Sequence, residues 1–133
     1  MAPNSPYRTS SDLVLEALSN LGVLAAGQPV DPEDFNWINE KLDSIYRKLG
    51  GLEIAYVPDP DNIPGAWFSD LADIVAGEAA SKFGLVGQEL MDKINKGLGG
   101  SGSVPIGGGT AANSLKIIMR GRPTYEPLRI VNY

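Results

Sequence analysis

The stretch DPEDFNWINEKLDSIYRKLGG, residues 31–51, decides the fold because it is the most completely specified helix in the chain. Asp31 is a good N-cap residue, and Pro32 suits the first helical position because its missing N–H needs no partner there. Apolar residues then recur at helical spacing and form one continuous seam: Phe35, Ile38, Leu42, Ile45 and Leu49. We therefore predict a helix over residues 32–49, about 27 Å long, which the pair of glycines behind it would end.

Three more helices are predicted around this one, because apolar residues recur at helical spacing over residues 11–21, 66–83 and 86–98. Ser11 would cap the first of them, and a glycine follows each of the first two and would stop it. Connections between the predicted helices are short. The fold class that we predict is all-α: a four-helix bundle with an extended C-terminal arm.

The predicted domain organisation has three parts. Residues 1–10 would be an extended N-terminal leader, and residues 11–98 the helical bundle domain. Residues 99–133 would be a glycine-rich linker and a C-terminal docking arm, because the run GLGGSGSVPIGGG (97–109) has the composition of a flexible tether. Removing residues 104–133 should then leave the helical domain folded.

The predicted arm differs from the body in charge. Residues 1–103 hold 7 Lys/Arg and 15 Asp/Glu, a net charge of −8, whereas residues 104–133 hold 4 Lys/Arg and 1 Asp/Glu, a net charge of +3. An acidic body with a basic arm suits self-assembly or a partner with an acidic groove, although these charges could also serve only solubility. The residues predicted to dock on a partner are Arg120, Arg122, Tyr125, Pro127, Leu128, Arg129, Ile130, Val131 and Tyr133.

A second set of residues is predicted to form contacts between subunits. Trp37 lies off the apolar seam of its helix, where it is either a partly packed residue or a contact to a neighbour. Ala76, Gly77 and Ala80 are small and would let another helix approach closely, within the subunit or between subunits. Gly77 costs about 1 kcal/mol relative to alanine inside a helix, which favours such a packing role.

Composition removes several kinds of chemistry. The 133 residues include no cysteine and no histidine, so the chain lacks thiolate ligands, a cysteine nucleophile and the commonest general base. No apolar run approaches the roughly 20 residues of a membrane span, and the N-terminus does not resemble a secretory signal. We predict a soluble protein that is made inside the cell and has no cofactor, no metal and no membrane partner.

One loop invites a comparison with calcium-binding loops. Asp59, Asp61 and Asn62 lie close together between prolines, but a calcium loop needs a glycine at its sixth position and a later glutamate. Here the fifth and sixth positions are Ile63 and Pro64. We therefore predict that these polar residues form a turn.

Two further functional classes stay open from the sequence. A small cell-wall glycosidase would use paired carboxylates, for which the candidates are Glu16, Glu40, Glu53, Glu78 and Glu89. Peptidoglycan turnover that a single Glu→Gln change abolishes would favour it. A small DNA-binding packaging subunit would show salt-dependent binding to duplex DNA, but the body is acidic and shows no basic recognition helix.

The order of these features resembles a known family. The phrase LVLEALSNLGVLAAGQPVDPEDFNWINEKLDSIYRKLGG (13–51) is similar to the opening of the head-to-tail adaptor, or head-completion, proteins of tailed bacteriophages, especially the short-tailed kind. The matching positions are residues 21–27, which carry the Leu-Gly-Val-Leu-Ala-x-Gly phrase, and residues 38–45, which include Asp43.

The similarity extends to about residues 12–98. It includes an Ile-Pro turn at Ile63 and Pro64 and an alanine-rich helix that ends in Phe83 and Gly84. The chain departs from the family pattern in its long glycine-rich stretch and in its ending.

The resemblance implies a non-enzymatic structural connector in the neck of a virion, between capsid and tail, made in the host cytoplasm. Its helical bodies would assemble as a homo-oligomeric ring of twelve subunits beneath the portal protein. The C-terminal extension would dock on the portal, and the lower face would receive a tail nozzle or tube protein. The ring would enclose DNA without binding a specific sequence, and an acidic body suits a conduit through which the duplex slides.

Overall fold

The chain folds around α2 (Pro32–Gly51) and the helices that pack beside it, in a computed structural model that describes residues 7–24 and 27–120. The Asp31 carboxylate accepts a hydrogen bond from the Glu33 backbone N–H at 2.9 Å, so the predicted cap is confirmed. Four residues of the predicted seam are buried: Ile38, Leu42, Ile45 and Leu49. The helix includes both terminal glycines because neither has a positive φ, and Leu52 is its C-cap.

The first helix, α1 (Ser10–Asn20), begins earlier than predicted because Thr9, not Ser11, is its cap. The Thr9 hydroxyl accepts a hydrogen bond from the Asp12 N–H at 3.2 Å, and the Asp12 carboxylate accepts one from the Thr9 N–H at 3.1 Å. Just before this cap, strand β1 (Tyr7–Arg8) pairs antiparallel with strand β2 (Ile63–Pro64).

These contacts correct the predicted leader. Residues 7–10 belong to the folded body, because the pairing of the two short strands and the capping box hold them in place. Residues 1–6 lie outside the described residues.

The third helix is the centre of the core. It runs as α3 (Gly65–Ala79), continues as a 3-10 turn over Ala80–Phe83, and ends at Gly84, whose φ of 90° is left-handed. It packs against α1 and α2 as well as against the two helices that follow it in sequence. Eight of its residues are buried: Trp67, Leu71, Ala72, Ile74, Val75, Ala76, Gly77 and Ala79. Trp67 is buried, and Phe68 beside it is partly buried and packs against the same core.

The fourth helix, α4 (Gly87–Lys96), lies close to α3. A Cβ added at Gly77 would lie 2.8 Å from the Lys93 carbonyl oxygen, a distance that ordinary side chains do not reach. Gly77 therefore serves helix packing within one subunit. Three apolar side chains of α4 are half-buried, and the first of them packs against the core: Leu90, Met91 and Ile94.

The glycine-rich segment is part of the folded body, and its prediction as a flexible tether is wrong. Leu98 is buried, and its carbonyl oxygen accepts hydrogen bonds from the Gly107 N–H at 2.9 Å and the Gly109 N–H at 3.1 Å. Gly99 donates to the Ile94 carbonyl oxygen at 2.8 Å. The glycines are there because backbone passes against backbone, where a side chain would not fit.

A fifth helix, α5 (Thr110–Arg120), follows the glycine-rich segment and packs on α3. Ala111, Ala112 and Leu115 are buried in the same core as the other helices. The described residues therefore form an all-α fold, as predicted, but with five α-helices instead of four. The folded body extends to Arg120, so a chain that lacks residues 104–133 would lose part of its core.

Tyr46 on α2 carries a hydroxyl that the fold leaves unsatisfied among the described residues. The oxygen is buried without a hydrogen-bond partner there. Burial raises the pKa of Tyr46 to about 12. The nearby Ser10 hydroxyl donates instead to the Pro60 carbonyl oxygen at 2.8 Å.

Tyr46→Phe is expected to raise the free energy of unfolding by about 1 kcal/mol, because it removes a buried group that gained no hydrogen bond on folding. Urea denaturation of both proteins measures the change. A loss of stability of similar size would mean that the hydroxyl has a partner after all and would contradict this account.

Candidate docking surfaces

Trp37 lies on the outer side of α2 at the mouth of a groove. Its ring meets the Phe83 ring edge to face, with the two centroids 6.2 Å apart and the planes at 84°. The Lys41 ammonium lies 5.3 Å from the centre of the indole ring, and the Lys82 ammonium lies 5.8 Å from it. The indole is thus half-buried, with two cations held over it by cation–π attraction.

The groove beside Trp37 has a volume of about 200 Å³ and lies between α2 and α3. Its floor is apolar, and its rim carries Ser44 and Glu78. Lys48 forms an ion pair with Glu78 at 3.0 Å. The floor residues are Ile38, Ile45, Val75 and Ala79. A groove with this lining would take an apolar side chain of a partner whose flanking carboxylate meets the lysines. The sequence-based selection of Trp37 as a contact residue stays a prediction.

The other three residues predicted for subunit contacts are not on the surface. Ala76, Gly77 and Ala80 are buried within the chain. Small residues permit close helix packing in either setting, and at Gly77 the partner is α4 of the same chain. Their prediction as subunit-interface residues is therefore wrong.

A second surface, which the sequence did not indicate, lies near the end of α5. Tyr56, Pro58, Trp67 and Met119 line a shallow apolar groove, here called the aromatic groove. The Tyr56 side chain is 63% exposed. These residues come from three separate segments of the chain, so no local pattern in the sequence joins them.

The predicted docking arm begins where this surface ends. Arg120 is the last residue of α5, and its side chain is not described. The other predicted arm residues lie outside the described residues: Arg122, Tyr125, Pro127, Leu128, Arg129, Ile130, Val131 and Tyr133.

The polar loop before β2 forms the predicted turn. The Asp59 carboxylate accepts hydrogen bonds from the Asp61 N–H at 3.1 Å and from the Asn62 side-chain amide at 2.7 Å. The hydrogen bond from Asn62 lowers the pKa of Asp59. Over residues 7–24 and 27–120, no group of three or more acidic side chains is arranged to hold a metal ion.

Asp73 belongs to a polar cluster that joins three helices. The Asn20 side-chain amide donates to the Asp73 carboxylate at 3.2 Å, and the Lys93 ammonium donates to the Asn20 carbonyl oxygen at 2.7 Å. Burial raises the pKa of Asp73 above its usual value, and the positive charges of Lys96 and Lys93 only partly offset it.

Asp73→Asn is expected to raise the free energy of unfolding at pH 7. A pKa that is raised in the folded state means that ionisation of Asp73 opposes folding, so the asparagine removes this cost. The gain should shrink as the pH falls through the raised pKa of folded Asp73 and should be almost gone below 3.8, the ordinary pKa, because the carboxyl group is then protonated in both states. Urea denaturation at pH 7 and pH 3 measures both. A gain that is equal at the two pH values would contradict the assignment.

Comparison with known proteins does not add a relative. No protein-family model, no curated protein and no solved structure matches the chain. Among the described helices, none is both long and apolar enough to cross a membrane.

Proposed function

We propose that this protein is a structural connector of a tailed-bacteriophage virion, without enzymatic activity. In this proposal its copies form a ring of twelve beneath the portal protein, and residues 121–133 with Arg120 dock on the portal. The helical bodies receive a tail nozzle or tube protein on their lower face. The ring encloses DNA without reading its sequence and sits in the virion neck after assembly in the host cytoplasm.

The observation that carries this proposal is where the residues of the family resemblance lie in the fold. Leu21 is the C-cap of α1, and Gly22 follows it with a φ of 76°. Ile63–Pro64 forms β2, directly before α3, and the Phe83–Gly84 pair ends the 3-10 turn. Residues that end helices set how the helices connect. The residues that carry the resemblance therefore lie where helices begin and end, which supports the proposal.

Charge and exposure support the same proposal. The outer side of α2 presents acidic residues to solvent, among them Glu33, Glu40 and Asp43. A lumen lined by such side chains would repel the DNA backbone, so the duplex would pass without adhering. Three of the four positive charges after residue 103, those of Arg120, Arg122 and Arg129, lie on the part of the chain assigned to the portal.

The groove at Trp37 is the surface that we assign to the neighbouring subunit in the ring. It combines an apolar floor with a large aromatic ring and charged residues at the rim, the composition typical of contact sites. Trp37→Ala should then weaken ring formation more than Ile117→Ala, whose side chain is 67% exposed on α5.

The proposal is tested by mixing the full chain with purified portal rings and measuring the mass and the negative-stain images of the product. We expect a ring of this protein to form only on the portal. Leu128→Asp together with Ile130→Asp should weaken binding by about 10-fold or more, because each places a charge where an apolar anchor is expected. Val86→Asp, at a body position that is 73% exposed, is the matched control.

Equal binding of the arm variant and the wild-type chain would refute the docking role of the arm. A ring that forms equally well without portal would refute portal-dependent assembly.

A further inference from the structure

We infer that residues 121–133 of this chain dock back onto its own body, in the aromatic groove and the groove next to it. The inference does not rest on the proposed function, because it concerns two parts of one chain. It follows from the shape of the surface, the point where the chain leaves the body, and the composition of the segment that follows.

The docking surface consists of two shallow grooves that share Tyr56 and Pro58. The aromatic groove has a volume of about 430 Å³, and Trp67 and Met119 complete its lining. The second groove has a volume of about 440 Å³, and its remaining lining residues are Asp43, Tyr46, Arg47, Gly50, Val57 and Pro60. Apolar side chains dominate both linings, and a continuous exposed apolar surface usually marks a contact site.

Residues 121–133 begin at the edge of this surface. Met119 is part of the groove wall, and α5 ends one residue later at Arg120. Thirteen residues in extended form reach about 45 Å from the end of α5. Attachment at the edge of the groove gives the segment an effective concentration of about 1 mM or more, so weak contacts suffice for docking.

The composition of the segment matches the surface. Residues 121–133, GRPTYEPLRIVNY, carry two prolines, two tyrosines and three aliphatic residues. Proline-bearing segments dock in grooves lined by aromatic rings, because the extended backbone is already formed and loses little entropy. The groove supplies such an exposed ring at Tyr56, with Pro58 and Met119 beside it.

Opposite charges on the segment and on the body favour their contact. The segment carries Arg122 and Arg129 against one acidic residue. On the body, Asp59 and Asp61 are exposed in the loop that carries Pro58, and Asp43 lines the second groove. Asp43 pairs with Arg47 at 3.1 Å, but this pair is exposed and therefore weak, so it does not exclude a second cation.

The inference changes what portal docking would require. If residues 121–133 dock on their own body, they must leave the grooves before they bind another protein. A partner would then have to compete with the grooves for this segment.

Hydrogen exchange of the full chain tests the inference, with the amide N–H groups of residues 124–133 as the readout. We expect exchange about 10-fold or more slower than in an unstructured peptide. Tyr56→Ser should restore the unstructured rate, since it removes the ring shared by both grooves. Ile106→Ser is the matched control, because this side chain is also exposed, at 58%, but lies outside both grooves.

A variant in residues 121–133 distinguishes loss of docking from loss of stability of the body. Leu128→Asp should raise exchange at residues 124–133 while leaving the melting temperature of the body unchanged. Exchange at the unstructured rate in the wild-type chain, or protection that survives Tyr56→Ser, would overturn the inference. Protection that disappears on dilution would assign the grooves to the arm of a second copy and would overturn docking within one chain.

Discussion

Gly97→Ala is expected to lower the free energy of unfolding by about 3 kcal/mol, the upper part of the range for an overpacked site. A Cβ at this position would lie 2.6 Å from the Asp73 carbonyl oxygen and 2.9 Å from the Ile74 Cα. Both atoms belong to the backbone of α3, which is buried and packed on several sides, so they cannot move aside as the end of a side chain can.

Gly51→Ala is the matched control. Gly51 lies in the last turn of α2, and a Cβ there would have no heavy atom within 4 Å. Alanine should raise the free energy of unfolding by about 0.5–1 kcal/mol, because glycine loses more backbone freedom when it becomes helical. Urea denaturation measures both changes. Equal effects at the two positions would show that Gly97 is not in close contact with α3.

Leu115→Ala is expected to lower the free energy of unfolding by about 2–5 kcal/mol, because it removes a buried side chain and leaves a cavity. Leu115 on α5 is 0% exposed and belongs to the same cluster of buried residues as the core of the other helices. The size of this loss measures how much the packing of α5 contributes to the stability of the body.

Ile117→Ala, two positions away on the same helix, is the control for Leu115→Ala. Its side chain is 67% exposed, so the substitution should change stability by less than about 0.5 kcal/mol. If α5 were a detached arm, both substitutions would be nearly neutral by urea denaturation.

The α2 helix was predictable because independent signals agree. The cap at Asp31, the proline behind it and the apolar seam all indicate the same helix. The all-α class follows from such patterns. The first cap was misplaced although Thr9 and Asp12 form a local capping box, because Ser11 is an equally good cap residue by type. The pairing of β1 with β2, which holds the chain before Thr9, is a contact between distant residues and leaves no local signal.

The glycine-rich segment was not predictable from composition. Glycine is favoured in flexible links and equally where two backbones touch, so the same run GLGGSGSVPIGGG suits both. The tertiary contact decides: Gly97 lies against α3, and the Gly109 N–H donates to the Leu98 carbonyl oxygen. For residues 113–120, which lie in α5, the sequence left helix and strand both open, because eight residues are too few for periodicity to decide.

Composition also did not decide the role of the residues that were predicted to form contacts between subunits. Small side chains at Ala76 and Gly77 predicted a close approach, which the structure has, but composition does not tell a helix of the same chain from one of a neighbour. The aromatic groove could not be predicted from the order of residues in the sequence, because the fold brings Tyr56, Trp67 and Met119 together from distant positions.

The central claim is that the body includes the glycine-rich segment and α5, so that any free arm is confined to the residues after Arg120. Hydrogen exchange of the full chain tests it at the N–H groups of Gly99, Gly107 and Gly109, which donate to carbonyl oxygens of Ile94 and Leu98. We expect these three to exchange as slowly as the amides of α3, on the order of 100-fold or more below the unstructured rate. Exchange of all three at the rate of an unstructured peptide would contradict the claim and restore a tether between bundle and arm.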